Sequence, residues 1–386
     1  MSTTTTTMSR HNTAANTPNN NPKTSTIPTA KTTLGVPFLP PAAMSAGSEK
    51  IRNRFGRIHR SMAPPPVQIL ESALSILEHR VLVALCAAGV PDALDESMTV
   101  DDLAIRLAVD PARLERLLRY GAARGWLRIH CGNVVPNKVT AFLRSDHPSG
   151  WRAWVDFLSI PEVVDAITAL DLRADNAPFE RSNGLPFFDW MAEHPLEWDT
   201  FDRAMAAGGR MHALTLDAAV GWKGTPRICD VGGGTGDLLA TLLDLHPEWH
   251  GAVFDLPGVV ARAVAHDRME HLAGDAFVEV PSGFDSYLLV NVLHDWSDAD
   301  SVRILGNVAR AMPATGRVLI VDSQRRIEPR DEIFVSTDVL MAALTSGGQE
   351  RTAREFRHLA AEAGLRLVRT FALASGDVAH DLRRAR

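Results

Sequence analysis

Between Arg227 and Val321 the sequence alternates short, almost wholly apolar runs with stretches whose apolar residues recur at helical spacing. Runs at Arg227–Val231, Ala252–Leu256, Met269–Ala273, Tyr287–Leu293 and Val318–Val321 read as strands. Helices are read through Leu238, Leu239, Leu242 and Leu243 and over Asp300–Met312. Strands without polar alternation are covered on both faces, and a parallel sheet between two helical layers provides that cover. The pattern predicts an α/β, Rossmann-like doubly wound domain over residues 217–386. No other feature restricts the fold as much.

The text before it is helical. Ile69, Leu70, Ala73, Leu74, Leu77, Val81 and Leu85 fall at helical spacing, which predicts a helix over 67–85. Thr99 is a plausible N-cap for a short helix through Leu103 and Leu107, and Asp110-Pro111 opens the next in the same way. Short strands at Trp126–Ile129 and Val134–Val135 follow, so residues 47–150 have the outline of a winged helix. Residues 1–46 are rich in Thr, Asn, Ser and Pro and read as a disordered tail without a secretory signal. A net charge of -6 gives no general attraction to nucleic acid or to an anionic membrane. The cysteines, Cys86, Cys131 and Cys229, form no CxxC pair, which suits a reducing cytoplasm.

The sharpest local feature is Cys229-Asp230-Val231-Gly232-Gly233-Gly234-Thr235-Gly236, at a strand-to-helix junction. Open α/β sheets bind ligands at such junctions, and glycine lets backbone turn sharply against a ligand. A dinucleotide fingerprint starting at Gly232 would need glycine at 237, where Asp237 stands. The pattern is GxGxG behind Asp230, and an acid there suits a cationic amino-acid moiety better than a pyrophosphate. Asp255 ends the second strand, where an acid can accept ribose hydroxyls. Asp275 follows the third, where adenine would lie. Taken singly, each could be a turn glycine or a capping aspartate; all at successive strand ends point to one nucleoside cleft.

The segments DVGGGTG, FDLPGVV, GDAF, LHDWSD and GGQERT occur in order. Together they resemble the S-adenosylmethionine-dependent O-methyltransferases of the plant caffeate and acetylserotonin type and their bacterial natural-product relatives, over roughly residues 50–375. The resemblance implies S-adenosyl-L-methionine as cofactor, with Gly232 and Gly234 at its methionine end, Asp255 and Leu256 at the ribose, and Asp275 and Ala276 at the adenine. It implies His294 as proton acceptor. Asp322 could hydrogen-bond the imidazole and hold its tautomer, with Glu350 approaching from the other side. No metal is required. The resemblance further implies a small acceptor carrying a hydroxyl, aromatic or polyketide-like, with residues 151–216, dense in Trp and Phe, as a helical linker that covers its pocket. By the same resemblance, the N-terminal domain is expected to mediate homodimerisation. A nitrogen acceptor is the alternative on the same scaffold; a winged-helix DNA-binding regulator, with Arg113, Arg116, Arg119, Arg124 and Arg128 on one helix and its exit, is a rival from another class. Two departures from the family stand out. Aspartate replaces glutamate at 322, and Val378–Leu382 is a weak candidate for the closing antiparallel strand.

Overall fold

The computed structural model describes residues 42–326 and 332–385. Most of the expected tail, residues 1–41, lies outside the described residues, but a helix, Ala42–Met62, begins inside its expected bounds. The predicted helix over 67–85 breaks at Ser75 into Pro65–Leu74 and Ile76–Ala87. Much of its apolar set faces outward: Ile69 is 71% exposed and Leu70 58%. The helices Val100–Leu107 and Pro111–Ala123 are capped by Thr99 and Asp110, whose side chains accept from the N–H groups of Asp102 and Arg113. Strands β1 (Met98–Thr99), β2 (Arg128–His130) and β3 (Asn133–Val135) form a small antiparallel sheet in the order β1-β3-β2 behind them. Arg124 of this region is paired with Glu78 at 2.6 Å.

The C-terminal sheet holds β4 (Arg227–Val231), β5 (His250–Asp255), β6 (Met269–Ala273), β7 (Ser286–Val290), β8 (Arg317–Asp322), β9 (Leu365–Ala372) and β10 (Val378–Arg384). Their spatial order is β6-β5-β4-β7-β8-β10-β9. The first five run parallel, and β10 is antiparallel to both β8 and β9. One face carries Cys229, Val231, Tyr287 and Leu289 against Leu305, Val308, Phe356 and Leu359. The other carries Ile228, Val253 and Leu288 against Leu216, Leu239 and Leu242. Burial on both faces explains why the central strands β4, β5, β7 and β8 carry no polar alternation, whereas the edge strands β6 and β9 are largely exposed.

Val378–Leu382 reads as a weak strand, yet the structure inserts it between β8 and β9. Its polar residues are buried with partners that a hydropathy reading cannot supply. Asp381 accepts from the buried Arg317 guanidinium at 2.7 Å, and the ring of His380 lies against Phe356. Burial lowers the His380 pKa to about 4, so the imidazole stays neutral there. Among the described residues, no helix is long and apolar enough to cross a membrane.

The helix Pro195–Ala219 bridges the two halves, so the expected boundary at 217 falls within it. Arg210 binds Asp237 in the first turn of the helix after the glycine loop. Arg262, beyond β5, binds Asp202 at 2.6 Å. These ties hold the helix over the carboxyl ends of β4 and β5.

Candidate active site

The chain leaves β4 through Gly232, Gly234 and Gly236, all at positive φ (68°, 58° and 80°). That conformation strains any residue bearing a Cβ. The loop folds back on β5, where Asp255 Oδ2 accepts from the Gly234 N–H at 2.8 Å and Oδ1 from the Leu256 N–H at 2.7 Å. The Asp255 carbonyl accepts from the Gly274 N–H at 2.9 Å, joining the loop after β6 to the same place. There Asp275 Oδ1 accepts from the Phe277 N–H, and the Ala276 carbonyl from Asn307 Nδ2 on a neighbouring helix. Gly232, Gly234, Asp255, Leu256, Asp275 and Ala276 thus stand on adjoining loops at the ends of neighbouring strands.

The floor of this cleft is acidic. Asp230 is buried under the loop with Oδ2 unpartnered. Burial, then the neighbouring Asp255, pushes its pKa up to about 7. Burial also raises Asp255, against the Gly234 and Leu256 N–H groups and Arg262. A Cβ at Gly234 would meet no protein atom within 4 Å. The loop therefore turns an open backbone face toward the cleft, above carboxylates whose oxygens each retain acceptor capacity. A cation bearing a diol fits such a cradle; a pyrophosphate does not.

His294 lies beyond β7 in a short 3₁₀ turn, Leu293–Asp295. The turn follows Asn291, a non-glycine residue at φ 54°, and it ends β7 at Val290 where the sequence reads a strand to Leu293. His294 Nδ1 lies 3.1 Å from Glu350 Oε1, and Nε2 lies 3.7 Å from Asp295 Oδ1. Burial by itself lowers the imidazole pKa. Asp295, then Glu350 and Asp322, outweigh it and raise the pKa to about 10. Burial holds Asp295 up at about 6 despite His294.

Asp322 corrects the reading that it hydrogen-bonds the imidazole. It ends β8 fully buried, and neither carboxylate oxygen has a hydrogen-bond partner. Glu350 takes the position at Nδ1 instead. The side chain at 322, one methylene shorter than the family's glutamate, contributes charge to the site but no bond. Sequence reasoning gave no role to Asp295, although it adjoins His294 in the LHDW segment, nor to Arg351, whose part emerges only from the folded geometry.

An aromatic shell covers the site. Phe157, Phe179, Phe187, Trp190 and Trp198 are buried together, with Phe188, Phe201 and Met205 packed against them. Phe188 stacks on Trp296 with ring centroids 5.4 Å apart, and Trp296 meets Phe277 edge-on at 4.7 Å. The shell thus joins both the His294 turn and the loop after β6.

A glycine cradle over acids, capped by helices and lined by aromatics, defines a methyltransferase-type site on a doubly wound sheet. A model of the O-methyltransferase domain matches residues 163–366, and a model of the O-methyltransferase dimerisation domain matches residues 70–139. The mitomycin biosynthesis 6-O-methyltransferase of Streptomyces lavendulae is 33% identical over 80% of this chain and 91% of its own. The 8-amino-8-demethylriboflavin N,N-dimethyltransferase of Streptomyces davaonensis is 34% identical over 75% of this chain and 86% of its own. Among solved structures, CalO1, a methyltransferase of calicheamicin biosynthesis in its S-adenosylhomocysteine-bound form, superposes with a TM-score of 0.74 at 31% identity, covering 83% of this chain and 98% of CalO1. The chain belongs to the O-methyltransferase family of natural-product type, and its cofactor is S-adenosyl-L-methionine.

Proposed function

We propose that the protein methylates a hydroxyl of a small aromatic or polyketide-like metabolite, with His294 accepting the hydroxyl proton. The observation that carries this reading is the His294–Glu350 pair where the cofactor loops meet the aromatic shell. The cofactor supplies an electrophilic methyl on a cationic sulfur. Gly232 and Gly234 would hold its methionine end, Asp255 and Leu256 the ribose, and Asp275 and Ala276 the adenine. The remaining chemistry is alignment and removal of one proton.

A phenol has a pKa of about 10, and the His294 imidazole is held at about 10. That value belongs to the free protein, where the imidazole holds its proton at pH 7; the cationic sulfur of the bound cofactor would lower it toward the neutral form that accepts the phenolic proton. Glu350 keeps Nδ1 occupied, which turns Nε2 toward the acceptor, and it stabilises the imidazolium that forms. The aromatic shell excludes water and presents flat apolar surface, which suits a ring-bearing acceptor.

The test is a panel of phenolic metabolites screened for the mass of one added methyl. On any acceptor found, His294→Ala should lower turnover about 10²–10⁴-fold with cofactor affinity unchanged. kcat/KM should rise from pH 7 toward pH 9, because the neutral imidazole gains population only as pH approaches its raised value. Full turnover in His294→Ala, or a profile that levels off near the ordinary histidine range, removes the base from the mechanism. A nitrogen acceptor is the second reading, favoured by the identity with the riboflavin N,N-dimethyltransferase; NMR of the product distinguishes an N-methyl from an O-methyl.

The protein acts as a homodimer in this reading. The helix Ala42–Met62 presents Ile51, Phe55, Ile58 and Met62 at successive turns, all exposed, and no residue of Pro65–Leu74 is buried. This apolar face runs directly into the stretch matched by the dimerisation model, and a second copy of the chain is its fitting occupant.

A further inference from the structure

The His294 turn is short, and its own closing bonds are long: the Val292 and Leu293 carbonyls accept from the Asp295 and Trp296 N–H groups at 3.3 Å. Ser301 Oγ adds a bond to the Leu293 carbonyl at 3.3 Å, and the shorter bonds to the turn come from Gln349 and Arg351. Arg351 donates from Nη1 to the Leu293 carbonyl at 2.6 Å and from Nη2 to the Trp296 carbonyl at 2.6 Å. Between them, the His294 carbonyl accepts from the Gln349 N–H at 2.8 Å. The third arm of the guanidinium, Nε, donates to Asp298 Oδ1 at 2.8 Å.

This approach has its own backbone requirements. Gly347 takes φ 95°, and a Cβ at Gly348 would stand 2.8 Å from the His294 carbonyl oxygen. Asp338 Oδ1 accepts from the Glu350 N–H at 2.8 Å, and the Arg351 carbonyl accepts from the Arg325 N–H. Arg351 is itself 1% exposed, the largest of the fully buried side chains. Burying a guanidinium is expensive unless its donors are satisfied, and here they are spent on the backbone either side of one histidine.

From this we infer that Arg351 is a positioning residue for His294, holding the carbonyls before and after it so that Glu350 meets Nδ1. The planar fork reaches carbonyls three residues apart and Asp298 at once, which a lysine ammonium cannot reproduce. The inference rests on the assignment of His294 as proton acceptor, but its test does not depend on turnover.

The full chain is labelled with [13Cε1]-histidine, and the His294 resonance is identified by its loss in His294→Ala. Two variants are compared with the unaltered protein. Arg351→Lys keeps the charge and removes the fork. Asp298→Asn removes the charge that anchors the Nε arm at the solvent side and serves if the first variant does not fold. In both, the His294 titration midpoint should fall toward the ordinary imidazole range, by about one unit or more in Arg351→Lys and less in Asp298→Asn. Calorimetric affinity for S-adenosylhomocysteine should change less than threefold. An unchanged midpoint in the folded variants overturns the inference. So does a loss of S-adenosylhomocysteine affinity as large as the titration shift, which would mean a general loosening. The turnover of His294→Ala, measured separately, decides the base assignment, so the two failures are distinguishable.

Discussion

Two neighbouring glycines should fail for different reasons when replaced by alanine, and the difference locates the cofactor cradle. A Cβ at Gly233 would lie 2.7 Å from Asp230 Cγ and 2.9 Å from Val253 Cγ2. Both neighbours are buried, and neither is the free end of a flexible chain. Gly233→Ala is therefore overpacking, costing about 1–3 kcal/mol. Gly234→Ala meets nothing within 4 Å but sits at φ 58°, which costs about 1–2 kcal/mol for alanine. Both variants should melt a few degrees low. The separation is in binding: the methyl of Gly234→Ala projects into the open cleft beside the N–H that Asp255 holds. S-adenosylhomocysteine affinity should fall at least about tenfold, which is about 1.4 kcal/mol of lost contact. Thermal melting and titration calorimetry on the same samples give both numbers. If Gly234→Ala binds S-adenosylhomocysteine within twofold of the unaltered protein, the open face of the loop is not the cradle.

Other consequences can be measured directly. Asp377 is buried, and although burial opposes it, the hydrogen bond and charge of His212, with Ser375 and Ser323, hold its pKa at about 2. Against an ordinary value near 3.8 this is about 2 kcal/mol of stability at neutral pH. The sign follows from the depressed folded value: the contribution is complete above the unfolded pKa, about half lost by pH 3, and gone as pH falls through about 2. Denaturant titrations of Asp377→Asn and the unaltered protein should converge on acidification; a constant gap would refute the linkage. The His294 titration midpoint should fall further with S-adenosylmethionine, whose sulfur is cationic, than with S-adenosylhomocysteine, whose sulfur is neutral; equal shifts would place the sulfur outside the reach of His294. Leu70→Glu, a change at an exposed apolar position, should shift light-scattering mass from two chains to one, and an unchanged mass would move the interface elsewhere.

The sheet was legible because its central strands are apolar on both faces, a signal independent of partners. Asp255 and Asp275 were legible only as a set: each alone is an ordinary turn acid, and it was their recurrence at successive strand ends that predicted the adjoining loops on which they stand. The closing strand was not, since His380 and Asp381 break its hydropathy and become compatible with the core only once Arg317 and Phe356 are placed beside them. The relation of Asp322 to Glu350 was hidden for another reason. Both acids approach His294 from distant sequence positions, and which one bonds to it depends on side-chain reach of an ångström or so. The exposed face of Pro65–Leu74 shows the limit of periodicity, which finds an apolar stripe but not the molecule that covers it.

The charges around His294 make most sense as a set tuned for a positive neighbour. Left to burial alone, the imidazole would be neutral and weakly basic. Asp295, Glu350 and Asp322 reverse that and hold a proton on it. Asp322 itself is buried without a hydrogen bond, and burial pushes it well above the carboxylate range while His294 and Arg351 draw it back toward its charged form. Arg351 supplies fixed positive charge from behind the turn, and Asp230 and Asp255 supply acid on the cofactor side. Adding a cation to that cleft works against the His294 proton and toward the neutral imidazole that a base requires. An imidazole that was neutral to begin with would be driven far below its useful range by the same cation, so under the proposed mechanism the excess of acids is what would let His294 take a phenolic proton next to a positive charge.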